Sequence, residues 1–341
     1  MAEYMKKISF VIPTYNGQEF LADTIEAILS QGMNDKIEVV LCDDVSTDKT
    51  FEIAKKYSEL YTNVKSFRNE ENLGMDRNFE KTVTHATGEF IWFCGQDDII
   101  GEGGIAKILS VLESDETIDF IYANYSQNNH DLSKVVTERM LLIDNDISCK
   151  DPKSFLSITK LKLPTFLPSF IIRKSLWDTV EDKKPFYGTH YTQIGVLLAL
   201  LPNLKTYIVA RPYVRGRIPD DGWYRDKFKV FDITTGYLQV ITYYYRNNPS
   251  LITYEIYMDN FRCHFRNILY LALYLKLEGR TLNKKLNERI NLIFSLKYAL
   301  LIKLIFIVPK FVLKISYMVS KNLLNIYKYF TLRIMQPYNI G

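Results

Sequence analysis

Two adjacent carboxylates, Asp97 and Asp98, follow an apolar run that starts at Phe90 and ends before Gly95. An apolar run of this length bounded by glycine predicts a strand that is buried on both faces. Like charges this close repel each other, and they are tolerated in water or beside a shared cation. Because α/β proteins bind ligands at the carboxyl edge of a parallel sheet, we interpret the pair as a metal and phosphate site. The alternative is a loop in which both side chains cap the helix near Gly103.

Three other polar segments also follow predicted strands. They are residues 13–16 after the strand 8–12, Asp43 and Asp44 after the strand 37–42, and residues 72–78 after the strand 64–67. The carboxyl ends of parallel strands lie along one edge, so we expect all four segments to converge. The sequence contains neither a G-x-G-x-x-G motif nor a Walker loop to cradle a phosphate. A phosphate ligand here would therefore need a divalent cation, and carboxylates suit Mg²⁺ or Mn²⁺.

Strands and helices alternate through the first 100 residues, which predicts an α/β fold with a mostly parallel central sheet and flanking helices. Helical spacing predicts helices over residues 20–31, from about 46 to 60, and over 76–86, with Ser46 or Thr47 as the N-cap of the second. Further along, the pattern predicts strands over residues 120–125, 165–172 and 206–210, and helices over residues 104–113 and 194–201.

Four segments carry a resemblance to a known family. They are Ile-Pro-Thr-Tyr-Asn at 12–16, Ser30-Gln31, the run Asp-Asp-Val-Ser-Thr-Asp at 43–48, and the apolar strand that ends in Asp97-Asp98. In this order they resemble the family 2 glycosyltransferases, inverting enzymes with a GT-A fold, which is a Rossmann-like sheet with flanking helices. The resemblance implies a GT-A domain over residues 1–220. Residues 1–100 would bind the nucleotide sugar, and residues 101–220 would receive the acceptor.

The resemblance also implies roles for individual residues of the donor half. The nucleotide pocket would be lined by Pro13, Thr14, Tyr15 and Asn16. Asp44, with Asp43 beside it, would contact the base or the ribose. Arg77 would approach the base or the phosphates.

The metal-binding triplet departs from the D-x-D pattern of that family. Gln96 stands where the first acid is expected, so the triplet is Gln-Asp-Asp. Glutamine can hydrogen-bond a ribose hydroxyl, but it brings no charge. The resemblance therefore implies that Asp98 is the metal ligand, with Asp97 beside it, and that the bound diphosphate completes the site for Mg²⁺ or Mn²⁺.

The catalytic base is a second departure. The resembling family supplies it as a carboxylate of a Glu-Asp pair that opens a helix, and residues 186–193 of this chain contain no acid. His190 is the residue there that can substitute, because an imidazole with an ordinary pKa near ~6.5 can accept a hydroxyl proton at neutral pH. The alternatives are that this histidine is a helix cap or a packed ring, or that a nearby acid is the base: Asp178, Glu181 or Asp182.

Arg215 and Arg217 alternate on one side of an extended segment after residue 210. In enzymes of the resembling family a basic loop here often folds over the diphosphate, and guanidinium groups are suited to that contact. The alternative is a solvated turn.

Residues 221–341 are predicted to be helical, and their end is basic. Residues 281–341 contain ten Lys or Arg and one acid, Glu288, which is a net charge of +9 against −5 for the rest of the chain. Five lysines of the tail fall on one helical stripe about 40° wide: Lys303, Lys310, Lys314, Lys321 and Lys328. No charge-free run reaches the ~20 residues of a spanning helix. We predict that residues 290–330 lie on a membrane surface rather than on nucleic acid. The alternative is burial against the protein or against a second copy in a homo-oligomer.

Together these features predict an inverting transfer of a sugar from a nucleotide-diphosphate sugar to an acceptor hydroxyl. The basic tail and the resemblance favour a polyprenyl-linked saccharide of O-antigen or capsule assembly as the acceptor. Unpaired cysteines and the lack of a recognisable signal peptide predict a cytoplasmic protein, peripheral on the inner face of the plasma membrane. Two rivals stay open: a nucleotidyltransferase, and a non-catalytic GT-A-like binding or scaffold protein.

Overall fold

The computed structural model describes residues 7–159, 163–218 and 226–309. The chain divides into two compact units, Met1–Asp220 and Asp221–Gly341. The first is a mixed α/β unit and the second is helical, so the predicted fold class is confirmed.

The first unit contains these elements in chain order: β1 (Ile8–Thr14), α1 (Leu21–Leu29), β2 (Ile37–Asp43), α2 (Thr50–Leu60), β3 (Val64–Arg68), α3 (Met75–Thr84), β4 (Phe90–Phe93), β5 (Ile99–Ile100), α4 (Gly104–Ser114), β6 (Phe120–Asn128), β7 (Val135–Thr137), β8 (Ile147–Cys149), α5 (Pro152–Thr159), β9 (Phe170–Arg173), α6 (Lys174–Thr179), α7 (Thr192–Leu200) and β10 (Thr206–Arg217). Short 3-10 turns cover Leu167–Ser169, Lys184–Phe186 and Leu201–Asn203.

Within the described residues the strands form one ten-stranded sheet with the order β3-β2-β1-β4-β9-β6-β10-β5, while β7 pairs with β6 and β8 with β10. Strands β1 to β4 pair with one another in parallel, and β9 lies antiparallel between β4 and β6. Every residue of β2 and β4 is buried, as expected of central strands covered on both faces. The register pairs Thr14 with Asp43, which brings the ends of β1 and β2 to one edge.

An aromatic cluster supports this edge from inside the sheet. The ring of Phe93 packs against Phe79, Phe170 and Trp177. Trp92 stacks on Phe10 with ring centroids 4.9 Å apart, and its indole N–H donates to the Pro168 carbonyl at 2.8 Å. The buried rings therefore fix both β4 and the turn before β9.

Three local predictions need correction. The predicted cap of α2 is wrong, because that helix begins at Thr50 and Asp48 Oδ1 accepts the Thr50 N–H at 3.0 Å. The predicted strand over residues 165–172 begins only at Phe170, since a 3-10 turn around Pro168, which lacks an N–H donor, precedes it. The strand predicted over residues 206–210 continues to Arg217 through a register shift between Val209 and Val214.

The second unit contains four described helices: α8 (Lys227–Asn247), α9 (Tyr254–Leu277), α10 (Lys284–Ile293) and α11 (Leu296–Ile307). Three of them start with a side-chain cap, supplied by Asp226, Thr253 and Asn283. Their apolar faces share one core, and the buried Arg289 pairs with Asp232 beside it. Among the described residues, none of the helices has the length and apolarity needed to cross a bilayer.

The predicted basic tail is described only in part. The end of α10 and the whole of α11 cover its beginning, and α11 includes Lys303. The other lysines of the predicted stripe, Lys310, Lys314, Lys321 and Lys328, lie outside the described residues.

Candidate active site

A cleft of about 440 Å³ opens at the carboxyl edge of β1, β2 and β4. It is lined by Pro13, Thr14, Tyr15, Asp44, Asn72, Gly74, Met75, Asn78, Phe79, Gly95, Gln96, Asp97 and Leu167. All four polar segments that follow the predicted strands contribute to this wall. The expected convergence at one sheet edge is therefore confirmed.

The carboxylates of Asp97 and Asp98 both lie close to the Cα of Gly95. A Cβ on that glycine would collide with Asp98 Oδ2 and would lie 2.9 Å from Asp97 Oδ1. Asp97 faces the cleft, whereas Asp98 is 4% exposed. Neither is needed as a cap for α4, because Gln31 Oε1 accepts the Ile105 N–H at 3.2 Å. A glycine at position 95 therefore leaves the room that both carboxylates need.

Burial sets the electrostatics of this pair. It raises the pKa of Asp98 well above its usual range, and the charge of Asp97 raises it further. Burial also raises the pKa of Asp97, although the Arg217 charge opposes that shift. Two desolvated carboxylates with one nearby guanidinium fit a divalent cation, which would neutralise them.

The protein alone offers few ligands for such a cation. Within residues 7–159, 163–218 and 226–309, no three His, Cys, Asp or Glu side chains come close enough to share a metal ion. Mg²⁺ is commonly held by one or two carboxylates together with water and substrate phosphates. The chain therefore fits a cation that is completed by the donor diphosphate.

Gln96 pairs with the backbone of Tyr15. The Tyr15 N–H donates to Gln96 Oε1 at 2.9 Å, and Gln96 Nε2 donates to the Tyr15 carbonyl at 3.1 Å. Gly17 leaves room for this amide, since a Cβ there would lie 2.7 Å from Gln96 Nε2. Both polar atoms of Gln96 are therefore engaged, and they hold Tyr15, which is 48% exposed at the cleft wall.

The other residues of the first loop differ in role. The Thr14 hydroxyl is buried at the cleft wall and has no hydrogen-bond partner among the described residues. Asn16 has a left-handed φ of 50°, its N–H donates to Ser46 Oγ at 2.9 Å, and its Oδ1 accepts the Thr47 N–H at 2.8 Å. Asn16 therefore ties the loop after β1 to the loop after β2.

Asp43 is the last residue of β2, and Asp44 is the first residue after it. The Asp43 carboxylate accepts hydrogen bonds from the N–H and hydroxyl of Ser46 and pairs with Arg68 at 3.3 Å. Its oxygens are therefore bound to other groups of the protein. Asp44 reaches the cleft. Its Oδ1 accepts the Leu73 N–H at 2.8 Å, and its Oδ2 accepts the Gly74 N–H at 2.9 Å. Of the pair, Asp44 alone lines the cleft.

The three arginines predicted to contact the donor lie outside the cleft wall. Arg77 is exposed on α3. Arg215 donates to the Leu132 carbonyl at 2.9 Å. Arg217 is 5% exposed, and its guanidinium donates to the carbonyls of Asp97 at 3.0 Å and His130 at 2.7 Å. The described basic segment is therefore neither a solvated turn nor a set of free guanidinium groups.

His190 lies in the loop that precedes α7 and has a left-handed φ of 70°. Its N–H donates to Asp76 Oδ2 at 3.0 Å, and the Thr192 hydroxyl donates to Asp76 Oδ1 at 3.1 Å. The N-cap position of α7 is Tyr191, so His190 is not the cap. Sequence reasoning missed Asp76, because a contact across more than a hundred residues leaves no local signal.

Comparisons with known proteins agree with this geometry. The family model described as Glycosyl transferase family 2 matches residues 9–181, which include every residue of the cleft wall. Abequosyltransferase RfbV of Salmonella typhimurium is 27% identical over 262 residues, 72% of this chain and 77% of that protein. GalNAc(5)-diNAcBac-PP-undecaprenol beta-1,3-glucosyltransferase of Campylobacter jejuni is 28% identical over 192 residues, 55% of this chain and 58% of that protein.

Two solved structures share the fold. TarS 1–349 of S. aureus in complex with UDP-GlcNAc superposes with a TM-score of 0.52 at 15% identity, over 92% of each chain. Mannosyltransferase PcManGT of Pyrobaculum calidifontis in complex with GDP-Man and Mn²⁺ superposes with a TM-score of 0.57 at 15% identity, over 89% of this chain and 88% of that chain. At this identity the likeness shows the fold, and the predicted GT-A architecture is confirmed.

Proposed function

The chain belongs to glycosyl transferase family 2, and we propose that it moves a sugar from a nucleotide-diphosphate donor to a hydroxyl of a lipid-linked saccharide, with inversion at the anomeric carbon. The observation that carries this proposal is the family match over residues 9–181, within which four strand ends build one polar cleft. Family membership favours this reaction over the nucleotidyltransferase and over the non-catalytic binding or scaffold protein.

The cleft supports a nucleotide sugar as the donor. A volume of about 440 Å³ is within the range of small-molecule sites. The exposed ring of Tyr15 offers a surface for the base, and Asp44 offers carboxylate oxygens for a ribose or base donor. TarS and the mannosyltransferase PcManGT hold such donors, UDP-GlcNAc and GDP-Man, in the same fold.

Asp97 and Asp98 would hold Mg²⁺ or Mn²⁺ together with the diphosphate oxygens. The bound cation supplies charge stabilisation to the departing nucleoside diphosphate. The chain itself contributes the buried carboxylate pair and the carbonyl-bound Arg217 that fixes the loop.

The proposed chemistry is a single displacement. The acceptor hydroxyl oxygen attacks the anomeric carbon, and the bond from that carbon to the diphosphate oxygen breaks with its electron pair. The hydroxyl proton passes to the imidazole of His190, the candidate base in a segment that lacks the Glu-Asp pair. A single displacement inverts the configuration.

We also propose that the protein binds a membrane surface through α11. Four apolar side chains of α11 are 44–74% exposed: Leu300, Leu301, Leu304 and Ile307. The sequence contains no acid after Glu288, so this face belongs to a purely basic segment. Apolar and cationic groups together suit anionic lipid on the cytoplasmic face of the plasma membrane. The name of the Campylobacter jejuni relative includes an undecaprenol-linked acceptor, which supports a lipid-linked acceptor here.

A thermal-shift screen of UDP- and GDP-sugars with and without Mn²⁺ tests the donor site, because a bound ligand raises the melting temperature by mass action. Turnover of the best donor with a polyprenyl-diphosphate-linked saccharide then tests the transfer. We expect Asp98→Ala to lose the Mn²⁺-dependent shift and His190→Ala to lose transfer while keeping the shift. Absence of any shift across the panel, with no turnover by the wild-type protein, would contradict the proposal.

Sedimentation with vesicles of phosphatidylglycerol and phosphatidylethanolamine tests the membrane surface. The double variant Leu304→Glu with Ile307→Glu should lower the bound fraction at least tenfold, because it places charge on the proposed lipid-facing side. Leu60→Glu, which changes a leucine of the first unit that is 65% exposed, is the matched control. Equal binding of the double variant and the wild type would exclude α11 as the docking face.

A further inference from the structure

The Asp76 carboxylate joins the donor cleft to the loop that carries His190. Its two oxygens accept the His190 N–H at 3.0 Å and the Thr192 hydroxyl at 3.1 Å. Asp76 is 5% exposed and stands in the first turn of α3, directly after Gly74 and Met75 of the cleft wall. One side chain therefore bridges the donor segment and the acceptor segment.

The loop needs such a support because its backbone is strained. His190 has a φ of 70°, and the left-handed conformation costs a residue with a side chain about 1–2 kcal/mol. Gly188, with a φ of 73°, adopts the same conformation without that cost. Local bonds fix part of the loop, since the Thr189 hydroxyl donates to the Phe186 carbonyl at 2.6 Å and the Tyr191 N–H donates to Thr189 Oγ1 at 3.1 Å. The His190 N–H between them is held by Asp76. Strained conformations persist where the surroundings over-determine them.

Asp76 also places a carboxylate at the start of α7. The resemblance led us to expect an acid at the start of the helix over Thr192–Leu200, and the local sequence provides none. The structure supplies one from α3, since Asp76 contacts Thr192, the first residue of α7. Negative charge is favoured at the N-terminal ends of helices, and Asp76 lies at the N-terminal ends of both α3 and α7.

We propose that Asp76 is the positioning residue that holds the loop of His190 for proton transfer from the acceptor hydroxyl. The inference rests on the proposed function, because it takes His190 to be the base. Both oxygens of Asp76 accept hydrogen bonds from the loop, one of them from the backbone N–H of residue 190. In this proposal the carboxylate holds the loop, and His190 takes the proton. A displacement of about 1 Å at a reacting group can lower the rate about 100-fold.

Three variants separate positioning from other roles. Asp76→Ala removes both acceptors and should lower kcat about 100-fold with little change in the KM of the donor. Asp76→Asn keeps an oxygen for the His190 N–H and an amide group for Thr192 Oγ1, so it should restore most of kcat. Thr192→Val removes one of the two bonds and should give an intermediate kcat. Glu59→Ala, which removes an exposed acid that pairs with Lys55 on the surface of α2, is the matched control.

Hydrogen–deuterium exchange of peptides over residues 186–192 is a readout that needs no substrate. We expect faster exchange in Asp76→Ala, near wild-type exchange in Asp76→Asn, and unchanged affinity for UDP with Mn²⁺ in both. Unchanged exchange in Asp76→Ala would overturn the positioning role. An Asp76→Asn variant as inactive as Asp76→Ala, with wild-type exchange, would also overturn it, because the charge itself would then be required.

The positioning role and the proposed base fail in different experiments. If His190→Ala transfers sugar at the wild-type rate, the base is wrong and Asp76 has no catalytic partner to position. If His190→Ala is inactive while Asp76→Ala keeps full kcat, the base stands and the inference about Asp76 fails alone. Should Asp76→Ala not fold, Thr192→Val still gives both kcat and exchange.

Discussion

The Arg217 guanidinium donates to the backbone carbonyl of Asp97 at 3.0 Å. The same group donates to the His130 carbonyl at 2.7 Å and stacks on the Phe20 ring, 4.5 Å from its centroid. An arginine that looked suited to a diphosphate thus binds the loop that carries the acidic pair. Its charge still acts there, since it opposes the burial that raises the pKa of Asp97.

Replacement of Arg217 should destabilise the first unit. Arg217→Ala leaves two carbonyls without their donors, each costing about 1–3 kcal/mol, so we expect the free energy of unfolding to fall by about 3 kcal/mol. Arg215→Ala is the matched control, because Arg215 makes one such bond, to the Leu132 carbonyl. Urea unfolding of both variants measures the difference. Equal midpoints for the two would contradict a structural role specific to Arg217.

The sequence predicts where the strands of the site end, but it does not predict the polar contacts between the segments that follow them. Buried parallel strands have a strong apolar signature, so the convergence of Tyr15, Asp44 and Asp97 at one edge followed from pattern and topology. Which of two adjacent acids faces the cleft depends on the twist after the last strand residue, and pattern alone did not separate Asp43 from Asp44.

Long-range polar contacts are the main feature of the site that the sequence does not predict. The contact between Asp76 and His190 joins residues 114 positions apart, and no periodicity encodes it. The direction of β9 was also beyond the sequence, since a short apolar strand reads the same in either orientation. The pattern predicts Ser46 as a cap, but a serine hydroxyl can equally donate to a nearby side chain, and in the structure it donates to Asp43.

Loss of the Gln96 amide should weaken donor binding. Gln96→Ala removes two hydrogen bonds to Tyr15, each contributing about 1 kcal/mol. Together they amount to about 2 kcal/mol, so we expect the Kd for UDP with Mn²⁺ to rise up to about 30-fold, since about 1.4 kcal/mol corresponds to a factor of ten. Calorimetric titration with UDP measures it.

A second change reaches the same contact from the other side. Gly17→Ala brings a Cβ to within 2.7 Å of Gln96 Nε2, so it should reproduce the Gln96→Ala phenotype. Gln18→Ala, which removes one exposed bond to the Lys49 N–H, is the control and should leave UDP affinity unchanged. Weak UDP binding in the control but not in Gly17→Ala would rule out the pairing as the cause.

Glu38 should make folding stability depend on acid pH. The carboxylate is buried at the amino-terminal edge of the sheet and accepts from Ser9 Oγ at 2.6 Å and Lys65 Nζ at 2.7 Å. Burial raises the pKa of Glu38, but hydrogen bonds from Lys65, Ser9 and Thr87 outweigh it and leave the pKa lowered. A lowered folded-state pKa adds stability above the unfolded-state value, near ~4.3, and that stability is lost as the pH falls through the folded-state pKa.

Glu38→Gln tests this linkage. At pH 7 the variant should be less stable by about 2 kcal/mol, because hydrogen bonds to a charged group contribute about 1.5–3 kcal/mol. The gap between variant and wild type should shrink below about pH 4, where the wild-type carboxylate becomes protonated. Urea midpoints at pH 7, 5 and 3.5 measure it, and a gap that stays constant with pH would refute the assignment.

Gly95→Ala should abolish the metal site while leaving the sheet intact. The added Cβ would occupy the space of Asp98 Oδ2 and lie 2.9 Å from Asp97 Oδ1, so both carboxylates must move away from it. Gly95 follows β4 and Cys94, both buried, so the strand itself has no reason to move. We expect Mn²⁺-dependent UDP binding to fall at least tenfold, with metal-free UDP binding little changed.

Asp98→Asn, which keeps the shape of the side chain and removes its charge, should give the same loss. If Gly95→Ala binds Mn²⁺ and UDP as the wild type does, the two acids do not share a cation, and the raised pKa of Asp98 reflects burial and the neighbouring Asp97 charge without a metal partner.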